Sequence, residues 1–73
     1  ASRLDYNEQK EYKNLTSKIR ALELDKVALE AEFTNPELSQ DEISKLSEKL
    51  QTIIDTIEEK EMRWFELAEK LEG

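Results

Sequence analysis

The sequence predicts an all-α fold, an antiparallel two-helix coiled-coil hairpin, from three observations. Of 73 residues only one is Gly and one Pro, while 40% are charged, a composition of long helices rather than of strands and loops. Apolar residues recur at alternating steps of three and four on either side of a single break, the spacing of a helical seam. The two seams, laid antiparallel, then fit one register.

Helix one starts at a capping box. Asp5 stands three residues before Glu8, so each side chain can accept from the other's backbone amide. Tyr12, Ile19, Lys26 and Phe33 then fall at heptad position a, and Leu15, Leu22 and Leu29 at d. Pro36 disfavours helical geometry at Asn35 and removes a backbone donor, which stops the helix near Phe33. The first helix is therefore expected over 6–33 and a tip over 34–39, with Asn35 capping a short turn that Pro36 begins.

Helix two opens on a second capping box, Ser39 with Glu42. Ile43, Leu50, Ile57, Trp64 and Leu71 follow at a; Leu46, Ile53, Lys60 and Leu67 follow at d. The expected span is 40–71, with Gly73 as a stop, and at 1.5 Å per residue each helix is roughly 40–50 Å long.

In an antiparallel pair, facing residues have a constant index sum. Phe33 with Ile43 and Tyr12 with Trp64 give 76; Leu29 with Leu46 and Leu22 with Ile53 give 75. A short connection between long helices also favours antiparallel neighbours. The register sets Lys26 against Leu50 and Lys60 against Leu15. There the aliphatic stems can cover the seam while the ammonium groups reach water, and polar seam sites also disfavour wrong registers.

What is missing narrows the function. There is no Cys and no His, so neither a disulfide nor a zinc site of the usual ligands is available to a domain this small. No Gly-rich phosphate loop is present. Adjacent acidic pairs such as Asp41-Glu42 and Glu58-Glu59 diverge on a helix and read as a solvated face. No catalytic residue, metal or cofactor is expected in this segment. No apolar run approaches the roughly 18 residues of a membrane span. The start at Ala1-Ser2-Arg3, without Met, reads as an excised piece of a longer chain.

Net charge is −7, which opposes nucleic acid unless cations are gathered locally. They are gathered. Between Lys10 and Arg20 lie Lys10, Lys13, Lys18 and Arg20 against Glu11 alone, and Arg63 and Lys70 return to the same end of the hairpin. These six are the candidate phosphate-contacting residues, with plain solubilising charge as the alternative. Tyr6, Tyr12, Trp64 and Phe65 also meet at that end. They form either a small satellite core, with Leu4 and Tyr6 folded over Trp64 and Phe65, or an exposed platform for bases or a protein partner. Leu24 and Val27, off the seam beside Ala28 and Ala31, are a candidate contact for a partner or a second copy.

Several stretches together resemble a known family. Leu4-Asp5-Tyr6-Asn7-Glu8-Gln9-Lys10-Glu11-Tyr12 is similar to the L-S/T-Y-K-E-Q-R-E-L/F opening of the C-terminal coiled-coil domain of ABC-F ATPases, particularly the Uup type. Ala21-Leu22-Glu23, Leu29-Glu30-Ala31-Glu32, the Asn35-Pro36-Glu37-Leu38 tip and Arg63-Trp64-Phe65-Glu66-Leu67 follow in the family's order. The resemblance implies a cytoplasmic protein whose two ATPase domains, with ATP and Mg, lie upstream. It also implies that the arm engages DNA or ribosomal RNA. The alternative is a structural or self-associating coiled coil that binds no nucleic acid.

Overall fold

A computed structural model describes residues 3–72 of the chain; the stop assigned to Gly73 lies outside them. Two helices make up the hairpin: α1, Tyr6–Glu32, and α2, Gln40–Glu72. Together they form a rod of 55 × 17 × 14 Å.

Both predicted caps form. Asp5 is the N-cap of α1; its Oδ1 accepts from the Glu8 amide at 2.8 Å, and the Glu8 carboxylate accepts from the Asp5 amide. Before α2, the Ser39 hydroxyl accepts from the Glu42 amide at 3.2 Å while the Glu42 carboxylate accepts from the Ser39 amide and hydroxyl. Glu8, Asp41 and Glu42 in first turns, and Lys70 in the last turn of α2, each match the helix dipole.

The tip closes without left-handed residues, since no described residue has positive φ. Phe33 is the C-cap of α1 and its amide donates back to Glu30 and Ala31. The Thr34 amide and hydroxyl both donate to the Ala31 carbonyl, and the Asn35 amide donates to Glu32. Asn35 Oδ1 then accepts from the Glu37 amide at 3.0 Å, an Asx turn that carries the chain past Pro36. The last carbonyls of α1 are thereby satisfied where the proline ends the helix.

Packing follows the seam. Every a and d residue from Tyr12 to Phe33 is half-buried, Lys26 included, as is Lys60 on α2. Among the described residues only Leu4, Ile57 and Leu67 are buried, and Leu67 is 0% exposed. Two of those three lie at the base. There the antiparallel register sets Glu8, not an apolar residue, opposite Leu67, and Leu4 is buried just before the helix begins. The Gln9 side-chain amide holds that approach by donating to the Leu4 carbonyl at 3.0 Å.

The Tyr12–Trp64 pair confirms the register directly. Their rings stack with centroids 5.3 Å apart at an interplanar angle of 20°. The indole Nε1 donates to Thr16 Oγ1 at 2.8 Å, and that hydroxyl donates in turn to the Tyr12 carbonyl. The indole therefore keeps a polar partner while its faces pack. The satellite core is only partly as expected: Leu4 is buried, but Tyr6 is 77% and Phe65 56% exposed. Both stand on outward lines of their helices, and a two-helix rod has no third layer to cover them.

Leu67→Ala is expected to lower unfolding free energy by about 2–5 kcal/mol, through lost apolar contact and an unfilled space. Leu24→Ala, on the exposed side, is expected to change it by no more than about 0.5 kcal/mol. Urea denaturation followed by circular dichroism measures both; equal losses would mean that the base is not the anchored end.

Candidate nucleic-acid interface

The sites proposed for phosphate contact divide into two groups once the side chains are placed. Arg63 and Lys70 are spent on the hairpin itself. Arg63 bridges Glu11 through Nε at 3.0 Å and Nη2 at 2.9 Å, and reaches Glu66 through Nη1 at 3.0 Å. The two bonds to Glu11 form a fork that fixes orientation as well as charge. Lys70 pairs with Glu8. Glu11 with Arg63 and Glu8 with Lys70 are cross-helix staples at the base, beside the Tyr12–Trp64 stack.

These staples hold their carboxylates ionised. The hydrogen bond from Lys70 holds Glu8 below the usual glutamate range, helped by the Asp5 amide. Arg63 does the same to Glu11. Arg63 is in turn pushed up, first by Glu11 and then by Glu66.

Lys10, Lys13, Lys18 and Arg20 behave differently. All four are exposed, and none pairs with a carboxylate among the described residues. Lys10, Lys13 and Arg20 lie on the three helical lines that face away from the seam, positions b, c and f. Twelve residues of α1 occupy those lines: Tyr6, Asn7, Lys10, Lys13, Asn14, Ser17, Arg20, Ala21, Leu24, Val27, Ala28 and Ala31. All are exposed and none is acidic. The six carboxylates of α1, from Glu8 to Glu32, are confined to positions d, e and g beside the seam.

The outward lines of α2 are the opposite. Asp41, Glu48, Asp55, Glu58, Glu59, Glu66, Glu69 and Glu72 stand there with one cation, Lys45. The net charge of −7 therefore averages two unlike faces: one basic and acid-free, the other strongly acidic. At the base, α1's outer face is also aromatic. A shallow notch of about 210 Å³ is lined by Tyr6, Gln9, Lys10 and Lys13. Tyr6 shares its line with Lys13 and Arg20, seven residues apart each time. That spacing was the available signal that its ring belongs to this surface rather than to a core.

Among the described residues no group of three or more His, Cys, Asp or Glu is placed to hold a metal ion, and no helix is long and apolar enough to cross a membrane.

A family model described as the ABC transporter C-terminal domain matches residues 3–69, both helices and the tip. The chain belongs to that family. No curated protein and no solved structure matches it. The hairpin is thus the C-terminal arm of an ABC protein. In this ABC transporter C-terminal domain the match runs from before the first cap to Glu69, so it takes in the Glu11–Arg63 staple and stops one residue short of Lys70.

The staples give the arm an acid-sensitive base. A carboxylate whose folded pKa is depressed contributes stability above its unfolded pKa, about 4.3 for Glu, and loses it as pH falls through the lower folded value. The thermal midpoint of the native chain is therefore expected to fall as the pH drops through the unfolded glutamate pKa of about 4.3 and on below it. The Glu8→Gln/Glu11→Gln variant, already lower at pH 7, should fall less across that window. Parallel curves would mean that the two carboxylates gain nothing from Lys70 and Arg63.

Proposed function

We propose that this domain is the C-terminal arm of an ABC-F-type ATPase of the Uup kind, and that it engages a polynucleotide, DNA or ribosomal RNA, in the cytoplasm. ATP and Mg belong to nucleotide-binding domains upstream, and the arm supplies contact rather than chemistry. The observation that carries this reading is the outer face of α1: exposed, free of carboxylates for its whole length, and armed along its basal half with Lys10, Lys13 and Arg20, which have no carboxylate partner among the described residues, with Tyr6 projecting at the near end.

Phosphates would meet the lysines and the arginine as separate charges along the rod, each contact releasing counterions. Lys18, on a line beside the seam, extends the set toward one flank. Tyr6, above the notch, offers a face on which an unpaired base stacks without sequence preference. Arg63 and Lys70 support the surface indirectly by holding the base shut, since their charge is already shared with Glu11, Glu66 and Glu8. The acidic outer face of α2 would keep a polyanion on one side of the rod.

Fluorescence anisotropy with labelled branched DNA and with a structured RNA, at about 50 mM salt, tests the reading. Binding should weaken as salt rises, with a log–log slope of about −0.7 to −0.9 per phosphate contacted. Lys13→Glu/Arg20→Glu should reduce affinity at least about tenfold and flatten the slope by about two contacts. Tyr6→Ala should weaken binding to single-stranded probes more than to duplex. Absence of binding to every probe at low salt refutes the proposal for this arm.

A further inference from the structure

The distal half of the same face asks for a different partner. Leu24 is 67% and Val27 63% exposed, and Ala21, Ala28 and Ala31 around them leave the backbone open to close approach. Large apolar side chains amid small ones are the surface an opposing helix packs on. The charge around them specifies that helix. With Lys10, Lys13 and Arg20 on the same lines and no carboxylate, the complement is an acidic helix with two apolar residues three apart.

One such helix is in the molecule. On the acidic outer face of α2, Met62 is 69% and Phe65 56% exposed, also three residues apart. A parallel alignment with an offset of 38 sets Leu24 against Met62 and Val27 against Phe65. The same offset sets Arg20 against Glu58 and Lys10 against Glu48, with Lys13 against Gln51 and Ser17 against Asp55. It overlaps α1 with α2 from Tyr6, opposite Ser44, to Glu32, opposite Lys70, and opposes no like charges on lines b and f. An antiparallel alignment can also bring the apolar pairs together, with an index sum of 89. It overlaps only residues 17–34 with 55–72 and leaves Lys10 and Lys13 beyond the partner's end.

Within one hairpin these two faces point away from each other, so a single copy cannot bring them together. We infer that the outer face of α1 in one copy docks on the outer face of α2 in a second copy, side by side and with the hairpins pointing in opposite directions. Each contact leaves the outer face of α2 free on one copy and that of α1 free on the other, so it is heterologous and assembly does not close at two. Four apolar side chains and a few exposed ion pairs make it weak and salt-sensitive. The contact shares Lys10 and Arg20 with the polynucleotide reading, so bound polyanion and a second copy compete. It does not depend on that reading, because no polynucleotide takes part.

Sedimentation equilibrium of the chain alone, from about 10 μM to about 1 mM at low salt, tests it in the range where weak contacts are populated. The weight-average mass should rise past that of a dimer. Leu24→Gln/Val27→Gln should remain monomeric throughout while keeping its helical circular dichroism and any polyanion binding. Arg20→Glu should weaken association at least tenfold, and so should Glu58→Arg. Their combination should restore it to within about threefold of the native chain, because the pair is rebuilt with reversed sign. A chain that stays monomeric at 1 mM overturns the inference, and so does association that the Arg20→Glu/Glu58→Arg combination fails to restore. Loss of polyanion binding in Arg20→Glu with unchanged self-association would leave the polynucleotide reading intact and remove this one.

Discussion

Everything in this hairpin depends on one constraint: two helices can hide a single stripe each, so one seam in one register must hold the fold. Position along that seam then decides how firmly each part is held. The mid and tip regions rest on half-buried Leu, Ile and Phe with the stems of Lys26 and Lys60 filling gaps. The base adds a stacked Tyr12–Trp64 pair, an indole hydrogen bond, the fork from Arg63 to Glu11, and the buried Leu4 and Leu67. Long-range polar contacts among the described side chains gather there. Without them the two chain ends would leave the rod at its least covered point.

The same constraint governs charge. A seam this narrow leaves most positions in water, and these two helices use theirs differently. The outward lines of α1 carry Lys, Arg, Asn, Ala, Leu and Val; those of α2 carry eight carboxylates. The helices also separate in amphipathic character for this reason. α2 is apolar on one side and mainly acidic on the other, broken there by Met62 and Phe65, whereas Leu24, Val27 and the alanines give α1 an outer face with apolar residues and no carboxylate. A helix with apolar character on its solvent side has a second surface to satisfy, whatever covers it.

The seam, both caps and the reversal at Pro36 were legible because each rests on spacing of three or four, or on residue types with few alternatives. The Tyr12–Trp64 stack lies at the index sum the register requires. The staples at the base were not legible. Long side chains such as Arg63, Lys70, Glu8 and Glu11 each have several partners within reach, and pattern alone does not choose among them. Arg63 and Lys70 therefore read as free cations from sequence, whereas the fold gives them carboxylates. Tyr6 and Leu4, expected together in a satellite core, part company for a related reason. Tyr6 is inside the helix and its line is fixed outward, while Leu4 precedes the cap and is free to turn in. The sign of each outer face was obscured by averaging, because net charge counts residues without asking which way they point.

The uneven anchoring has a mechanical consequence. A rod 55 Å long, with its polar staples and its aromatic stack at the end where the chain begins, behaves as a cantilever. Whatever turns the base turns the whole shaft, because the staples transmit torque between α1 and α2 instead of letting them slide. A small rotation there sweeps the Asn35–Pro36 turn through a displacement proportional to the full length. An arm built in this way can amplify a domain rotation at its root into travel at its far end, with no change in its own internal structure.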